Sequence, residues 1–383
     1  MKKKGALMAL LCAVLLLSGC MSRHVEEQLL VIVLGVDQTE TGDCVLTVKV
    51  PSNTGGEGGS SSEKEAAKGG NQQGYLTLSA TGHQFADTLE LLLATTPRSL
   101  NFSQVMEIVV SRKAAMDPSF GTLLLQLYNL PRMHTQAVVV VCEGDSKAFV
   151  EEQKPYVGAR LSRYIEVSIL NYAGKGFVPT TSLFQAVQEM GYGWQDPLLI
   201  LGALPGKEEG PPKSGNVLDV DAGELQSTSV NAVKLFGAAA TDGEKVSGTL
   251  TGYEMALISL IKGHAQSLSL VDERGFSLPL YVRAPATLTV QEGEKVQLGI
   301  QFLCEVHYTS GYAPQEENIR RQLEGEIEST IRKLQEMGCD ALGFGGQMIR
   351  RFPTIREWEN FHWREKYRQA DVQVDVQLRL KKE

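Results

Sequence analysis

Residues 105–142 have the sequence VMEIVVSRKAAMDPSFGTLLLQLYNLPRMHTQAVVVVC. Two runs within this stretch, at 105–111 and 137–142, are short, apolar and rich in β-branched residues, which predicts buried strands. Between them Asp117-Pro118 predicts the start of a helix, with Leu123, Leu124 and Leu127 on its apolar face. A strand, a helix and a strand in this order predict a βαβ unit with parallel strands, so the first half of the chain is expected to be of the α/β type.

The flanking sequence extends this pattern through residue 204. Residues 29–50 predict a β-hairpin across the turn-forming stretch TETGD, because both of its arms are rich in β-branched residues. Residues 51–74 hold seven Gly and four Ser and predict a flexible insert. Further helices are predicted over about 84–95, 145–153, 158–173 and, from the capping-box pair Ser182 and Gln185, to about 190. An apolar run predicts a strand at 198–204.

The second half of the chain has a different order of elements. Residues 205–229 combine Gly and Pro with acidic residues and lack periodicity, so they are interpreted as a linker between an N-terminal region at 20–204 and a C-terminal domain at 230–383. This domain is predicted to be α+β, with mixed sheets and packed helices. Its predicted elements are a hairpin across Thr241-Asp242-Gly243, a helix at 253–262, strands between 266 and 309, a long helix at 314–337, an aromatic helix at 354–368 and a last strand at 371–380.

Two of these helices allow alternative interpretations. The long helix has one apolar stripe, which predicts either a coiled-coil partner or packing on the adjacent sheet; packing is favoured because the stripe is short for a coiled coil. The stripe consists of Ile319, Leu323, Ile327, Ile331 and Leu334. The aromatic helix carries Trp358, Phe361, Trp363 and Tyr367, which predict core filling or, alternatively, a partner-binding surface.

The first twenty residues indicate export and lipidation. Three lysines precede the apolar run GALMALLCAVLLL at 5–17, which is short for a membrane-spanning helix and typical of a signal peptide. The run ends in Leu17-Ser18-Gly19-Cys20, the pattern of a bacterial lipobox. Residues 1–19 are therefore interpreted as a lipoprotein signal peptide, with diacylglycerol attached to the thiol of Cys20. An ordinary cleaved signal or an uncleaved anchor are the alternatives.

Composition excludes several classes of protein. The chain has 383 residues, 43% of them hydrophobic and 21% charged, which is typical of globular domains. The net charge is −8, and loss of the three signal-peptide lysines would make it −11, so nucleic acid is not an expected partner. The cysteines beyond the lipobox are interpreted as buried free thiols, since their spacing fits no zinc site; they are Cys44, Cys142, Cys304 and Cys339.

Motifs that would indicate catalysis are missing from the sequence. The hydrolase elbow G-x-S-x-G, the zinc helix H-E-x-x-H and the phosphate loop G-x-x-x-x-G-K-[ST] do not occur. The glycines of Gly343-x-Gly345-Gly346 follow a helix rather than a strand, so a turn is favoured over a dinucleotide loop. No catalytic residue, metal ligand or cofactor is predicted.

The chain has a lipobox, an order of elements and a C-terminal aromatic segment with a final alternating strand. In these features it resembles the C-subunit lipoproteins of bacterial spore germinant receptors, the Ger(x)C family. It departs from that family at Met21-Ser22, where an aromatic and basic pair is usual, at Gln104, where His is usual, and in the insert at 51–74. The stretches that carry the resemblance are 34–37, 98–111, 168–182, 232–250 and 352–363.

The resemblance implies a non-enzymatic subunit of a nutrient germinant receptor. It implies α/β and α+β domains of unusual topology, assembly with two membrane-embedded partners, the A and B subunits, and a location on the outer face of the spore inner membrane. Cys20 is the one residue to which it assigns a role, as the lipidation site. An extracytoplasmic solute-binding lipoprotein is the alternative function, and an extracytoplasmic hydrolase is a weaker one.

Overall fold

The computed structural model describes residues 27–52, 74–155, 160–204, 216–225, 233–309, 311–312 and 314–382. Cys20 and the rest of the predicted signal peptide lie outside these ranges, as do residues 53–73 of the predicted insert. Within the described residues the chain is an α+β protein with two main sheets, each covered by helices.

The first half consists of strands that alternate with helices. The strands are β1 (Gln28–Leu30), β2 (Val33–Gln38), β3 (Cys44–Ser52), β4 (Gly74–Gly82), β5 (Ser99–Asn101), β6 (Glu107–Ser111), β7 (Val138–Glu143) and β8 (Leu198–Ala203). The helices are α1 (Phe85–Thr95), α2 (Arg112–Ala115), α3 (Phe120–Tyr128), α4 (Ser146–Glu152), α5 (Leu161–Gly174) and α6 (Leu183–Tyr192). The predicted capping box at the start of α6 is confirmed, with Ser182 and Gln185 each bonding the backbone of the other.

The βαβ unit around residues 105–142 is confirmed, because β6 and β7 pair in parallel. The helix between them starts later than predicted. Asp117 does not cap it, since its carboxylate accepts the backbone N–H and the hydroxyl of Ser119 and so closes a turn before the helix. Ser119 then occupies the N-cap position of α3.

The first sheet continues beyond the predicted linker. The strands β9 (Lys234–Thr241) and β10 (Val246–Leu250) form the predicted hairpin, and β9 pairs antiparallel with β8. The eight-stranded sheet therefore has the order β10-β9-β8-β7-β6-β2-β3-β4. Within the linker, residues 216–225 pack on the body, because Val220 and Ala222 are buried. The division at 205–229 stays a prediction, but hydrogen bonds of the sheet cross it.

The second sheet is built on one long strand. Its elements are α7 (Gly252–Lys262), β11 (Ser267–Val271), β12 (Ser277–Val282), β13 (Thr287–Gln291), β14 (Gln297–Tyr308), α8 (Glu316–Met337), α9 (Phe344–Met348), α10 (Ile355–Phe361), α11 (Trp363–Gln369) and β15 (Asp371–Lys382). β14 pairs antiparallel with β12 and β13 on one side and parallel with β15 along its whole length on the other. The stripe of α8 is buried against this sheet, which confirms the packing interpretation.

A buried polar cluster lies beneath α4 in the first half. Lys49 on β3 donates hydrogen bonds to the carbonyls of Val150, Glu151 and Gln153, which satisfies the C-terminal end of α4. Glu107 on β6 accepts a bond from the Gln153 amide, while its second oxygen has no partner among the described residues. Burial raises the pKa of Glu107 to about 7. The side chain of Glu107 therefore binds a proton more tightly in the folded protein than in the unfolded chain.

We expect Glu107→Gln to flatten the dependence of stability on pH. The wild-type group stabilises the fold below its unfolded pKa of 4.5, and this contribution is lost as pH rises through its folded pKa of about 7. The glutamine resembles the protonated acid, so the difference in unfolding free energy between pH 5 and pH 8 should shrink by roughly 2–3 kcal/mol. Urea denaturation at both pH values measures this. Glu90→Gln, at an exposed position, serves as control. If the unfolding free energy changed equally with pH in the wild type, Glu107→Gln and Glu90→Gln, the expectation would be contradicted.

The four cysteines within the described residues are free thiols, as predicted. Cys142, Cys304 and Cys339 are buried and Cys44 is half-buried. Burial raises the pKa of each of the three buried thiols, so they remain protonated at neutral pH. Their role is in packing.

Candidate functional site

The predicted aromatic helix is broken and buried. His362 adopts a left-handed backbone conformation, with a φ of 50°, and separates α10 from α11. Trp358, Trp363 and Tyr367 are 7%, 4% and 1% exposed. The partner-surface interpretation of these aromatics is therefore wrong, since they fill the core of the second half. The kink turns aromatic residues from both short helices toward the same interior.

A buried carboxylate organises the segment around these aromatics. Asp340 is 2% exposed and follows α8. One of its oxygens accepts the N–H groups of Gly343 and Phe344, both at 3.0 Å. The other accepts the Gly345 N–H at 2.7 Å and the Trp363 indole N–H at 3.0 Å. The Asp340 carboxylate thus links the N-terminal end of α9 to Trp363, the first residue of α11.

The backbone of Asp340 takes part in a junction between the two halves of the chain. Asp196, just before β8, accepts the backbone N–H of Asp340 at 2.9 Å, and its own N–H donates to the Asp340 carbonyl at 3.1 Å. Arg364 on α11 donates to the other oxygen of Asp196 at 2.7 Å. We call Asp196, Asp340, Trp363 and Arg364 the domain junction. Its charged and polar groups are used to hold the two halves together.

Burial acts against ionisation at this junction. It raises the pKa of Asp340 to about 6, although the N–H groups that it accepts lower the pKa again. Burial also raises the pKa of Asp196, and the neighbouring Arg364 guanidinium opposes that shift. Both carboxylates depend on their donors, because an unpaired buried charge is costly.

Gly343 and Gly345, from the segment that could suggest a dinucleotide loop, allow the close backbone contacts next to the domain junction. Gly343 has a φ of 74°, a conformation that favours glycine. A Cβ atom at Gly345 would lie 2.5 Å from both the Trp194 carbonyl oxygen and the Trp363 indole nitrogen. The predicted turn is instead the start of a short helix, since Gly343 caps α9 and Gly345 and Gly346 lie within it, and the missing side chain of Gly345 allows α9 to approach Trp194 and Trp363 closely.

A cavity of about 240 Å³ opens at the carboxyl end of β2. The order of strands changes direction at β2. The strands β3 and β4 extend the sheet on one side of β2, whereas β6, β7 and β8 extend it on the other side. Such a switch point is a common place for ligands in open α/β sheets. Val36, Phe85 and Leu123 form an apolar part of its wall, whereas Gln38 and Asp117 contribute polar atoms. The cavity could hold a small molecule with polar and apolar parts.

The described residues contain no cluster of three or more His, Cys, Asp or Glu side chains that could hold a metal ion. Among the cavity residues, the Ser119 hydroxyl donates to Asp117 and His83 pairs with Asp43. Sequence reasoning missed both the cavity and the domain junction, because each assembles residues that are distant in the chain. The helices within the described ranges are all too short or too polar to cross a bilayer.

Comparison with known proteins assigns the two halves separately. Residues 22–202 match the family model described as the spore germination protein N-terminal domain. Residues 236–383 match the model described as spore germination B3/GerAC like, C-terminal. No curated protein matches the chain significantly.

A solved structure has a similar fold. The crystal structure of the GerBC protein aligns with a TM-score of 0.50 and 13% sequence identity, and the alignment covers 91% of this chain and 96% of that one. At this identity the match supports the fold alone. The two family models, however, follow each other along most of the sequence, and the predicted resemblance is thereby confirmed. The chain belongs to the GerAC-type family of spore germination proteins.

Proposed function

We propose that this protein is a lipid-anchored, non-enzymatic subunit of a nutrient germinant receptor that acts in spore germination. Its partners in this proposal are the membrane-embedded A and B subunits, and its location is the outer face of the spore inner membrane. Membership of the spore germination family supports the receptor role. The N-terminal sequence supports the anchor.

The observation that carries the anchor is the position of Cys20. It ends the lipobox Leu17-Ser18-Gly19-Cys20 and precedes the folded body, whose first described residue is Glu27, by only a few residues. A diacylglycerol group on this thiol would supply two acyl chains, and each buried methylene contributes about 0.8 kcal/mol. Two chains are sufficient for stable attachment where one is marginal.

The use of the buried polar groups supports a non-enzymatic role. Asp196 and Asp340 are occupied by backbone, Trp and Arg donors at the domain junction. The Ser119 hydroxyl at the cavity donates to the Asp117 carboxylate, and the hydrogen bonds from Ser119 lower the pKa of Asp117, which makes this carboxylate a weak base. A nucleophile needs a neighbouring base to become active. These groups are arranged for packing and binding rather than for turnover.

We expect Cys20→Ala to release the protein from membranes while the fold is kept. The variant should carry an ordinary cleavable secretory signal in place of residues 1–19, so that an uncleaved signal does not act as an anchor. Fractionation then shows whether the protein is in the membrane or the aqueous fraction. Cys12→Ala in the otherwise natural chain is the control and should stay in the membrane fraction. A cleaved Cys20→Ala protein that stayed quantitatively in membranes would contradict attachment by lipid.

The receptor role has a separate test in a spore-forming host. Deletion of the gene should slow germination triggered by nutrients and leave germination by non-nutrient routes intact. The wild-type protein should also co-purify with the A and B subunits from detergent-solubilised spore membranes. Unchanged nutrient responses, with no sister subunit to compensate, would favour the solute-binding alternative.

A further inference from the structure

The proposed anchor restricts which side of the protein can face the membrane. Seven residue steps separate Cys20 from Glu27, and a fully extended chain of that length spans at most about 25 Å. Glu27 and β1 therefore remain close to the bilayer surface if Cys20 is lipidated. The elements around β1 are the ones that a membrane could reach.

β1 and β5 form a separate two-stranded sheet beside the end of the first sheet at which β2 and β6 begin. β1 pairs with β5 in the register Gln28 to Ser99, and the Ser99 hydroxyl donates to the Glu27 carbonyl at 3.2 Å. Helix α1 ends at Thr95, just before this pair. The segment after α3 joins the same edge, because the His134 N–H donates to the Phe102 carbonyl at 3.1 Å. The C-terminal ends of α1 and α3 thus lie on the anchored side.

The exposed residues of this edge are of two kinds. Leu91 and Leu93, near the C-terminal end of α1, are 45% and 37% exposed. Arg98 and Arg132 are exposed in the loops that follow α1 and α3. We call these four residues the anchor edge. Exposed leucines beside arginines are typical of surfaces that rest at a lipid headgroup layer, where the arginine heads bind phosphate and the leucines enter the acyl boundary.

We propose that the anchor edge contacts the phospholipid bilayer, so that the carboxyl end of β2 and its cavity face away from the membrane. This orientation rests on the proposed lipidation of Cys20. The chain without its signal peptide is acidic overall, so a membrane with anionic lipids would repel most of its surface. Exposed acidic groups at this end of the first sheet include Glu27, beside the tether, Glu90 on α1, and Glu151 and Glu152 at the end of α4. Arg98, Arg132 and Lys154 offset these charges in part.

The test uses the full lipidated protein in vesicles of phosphatidylcholine and phosphatidylglycerol. Single cysteines replace Leu91, Leu93 or Glu40 in a Cys44→Ser background and are labelled with bimane. Glu40 is fully exposed at the opposite end of β2. We expect nitroxide-labelled lipids to reduce bimane fluorescence at positions 91 and 93 and to leave position 40 unchanged.

A pair of charge variants tests the arginines. Arg98→Glu with Arg132→Glu should reduce the quenching at position 93 without releasing the protein. Lys113→Glu with Lys147→Glu makes the same change of net charge away from this edge and should leave the quenching as in the wild type. Both lysines are exposed, and Lys113 donates to the Thr39 carbonyl near the far end of β2.

The outcomes separate the orientation from the anchor. If the labelled protein floats with the vesicles but positions 91 and 93 are not quenched, the anchor stands and the proposed contact fails. If these positions become protected only when the A and B subunits are present, the edge binds protein and the lipid proposal is overturned. If the protein does not float at all, the lipidation of Cys20 itself is contradicted.

Discussion

Asp340→Asn is expected to lower the free energy of unfolding by about 3–5 kcal/mol, the cost of breaking a buried charged network. The amide keeps one accepting oxygen, whereas the carboxylate accepts four N–H groups with two oxygens. An NH₂ group in place of the second oxygen would face the Gly345 N–H and the Trp363 indole N–H. Each buried donor left without an acceptor costs about 1–3 kcal/mol.

Urea denaturation at pH 7 measures this effect. Asp375→Asn is the matched control, because Asp375 lies on the exposed face of β15. Surface substitutions usually change stability by less than about 0.5 kcal/mol, and the control should stay within this range. If Asp340→Asn were as stable as the control, the four hydrogen bonds to the Asp340 side chain would not contribute to stability, and the junction would be held by the Asp196 bonds and by packing.

Trp363→Ala is the second change with a large expected effect, about 3–5 kcal/mol of lost stability. It would leave a void beside Trp358 and Tyr367 and remove an indole donor from Asp340. In a chain of this size, that loss corresponds to a fall in melting temperature of roughly 5 °C.

Circular dichroism during heating measures the melting temperature. Ile355→Ala, on the same segment, is the control, because Ile355 is 75% exposed. A partner-surface role for Trp363 would give the opposite result, with a melting temperature like that of the control. The burial of the side chain makes the destabilised outcome the expected one.

The sequence was sufficient to predict elements whose causes are local. The apolar runs at 105–111 and 137–142, the capping box at Ser182 and the alternation in β15 each depend on neighbouring residues, and each appears in the structure. The stripe of α8 is also a local pattern. Its burial confirms that the helix packs in the core of the second half.

Features that depend on distant contacts could not be predicted. Asp196 and Asp340 meet only in the folded protein, and no spacing in the sequence signals their pairing. No Gly or Pro lies at the kink at His362, so nothing in the sequence signals a break there. The aromatic segment was therefore predicted as one helix. The continuation of the first sheet into β9 and β10 was not predicted either. A Gly- and Pro-rich stretch separates these strands from β8 and indicated a linker between domains.

The parallel pairing of β14 with β15 has a consequence for the order of folding. Asp371 pairs with Gln297 and Lys382 with Tyr308, so this contact closes a loop that contains α8, α9, α10 and α11. Non-local parallel pairings form slowly, because the entropy of loop closure is lost before any contact compensates for it. Until β15 arrives, one edge of β14 remains open to mispairing. The second half can therefore reach its native state only after Lys382 has been synthesised, so this half would still be unfolded while earlier parts of the chain cross the membrane in the proposed export.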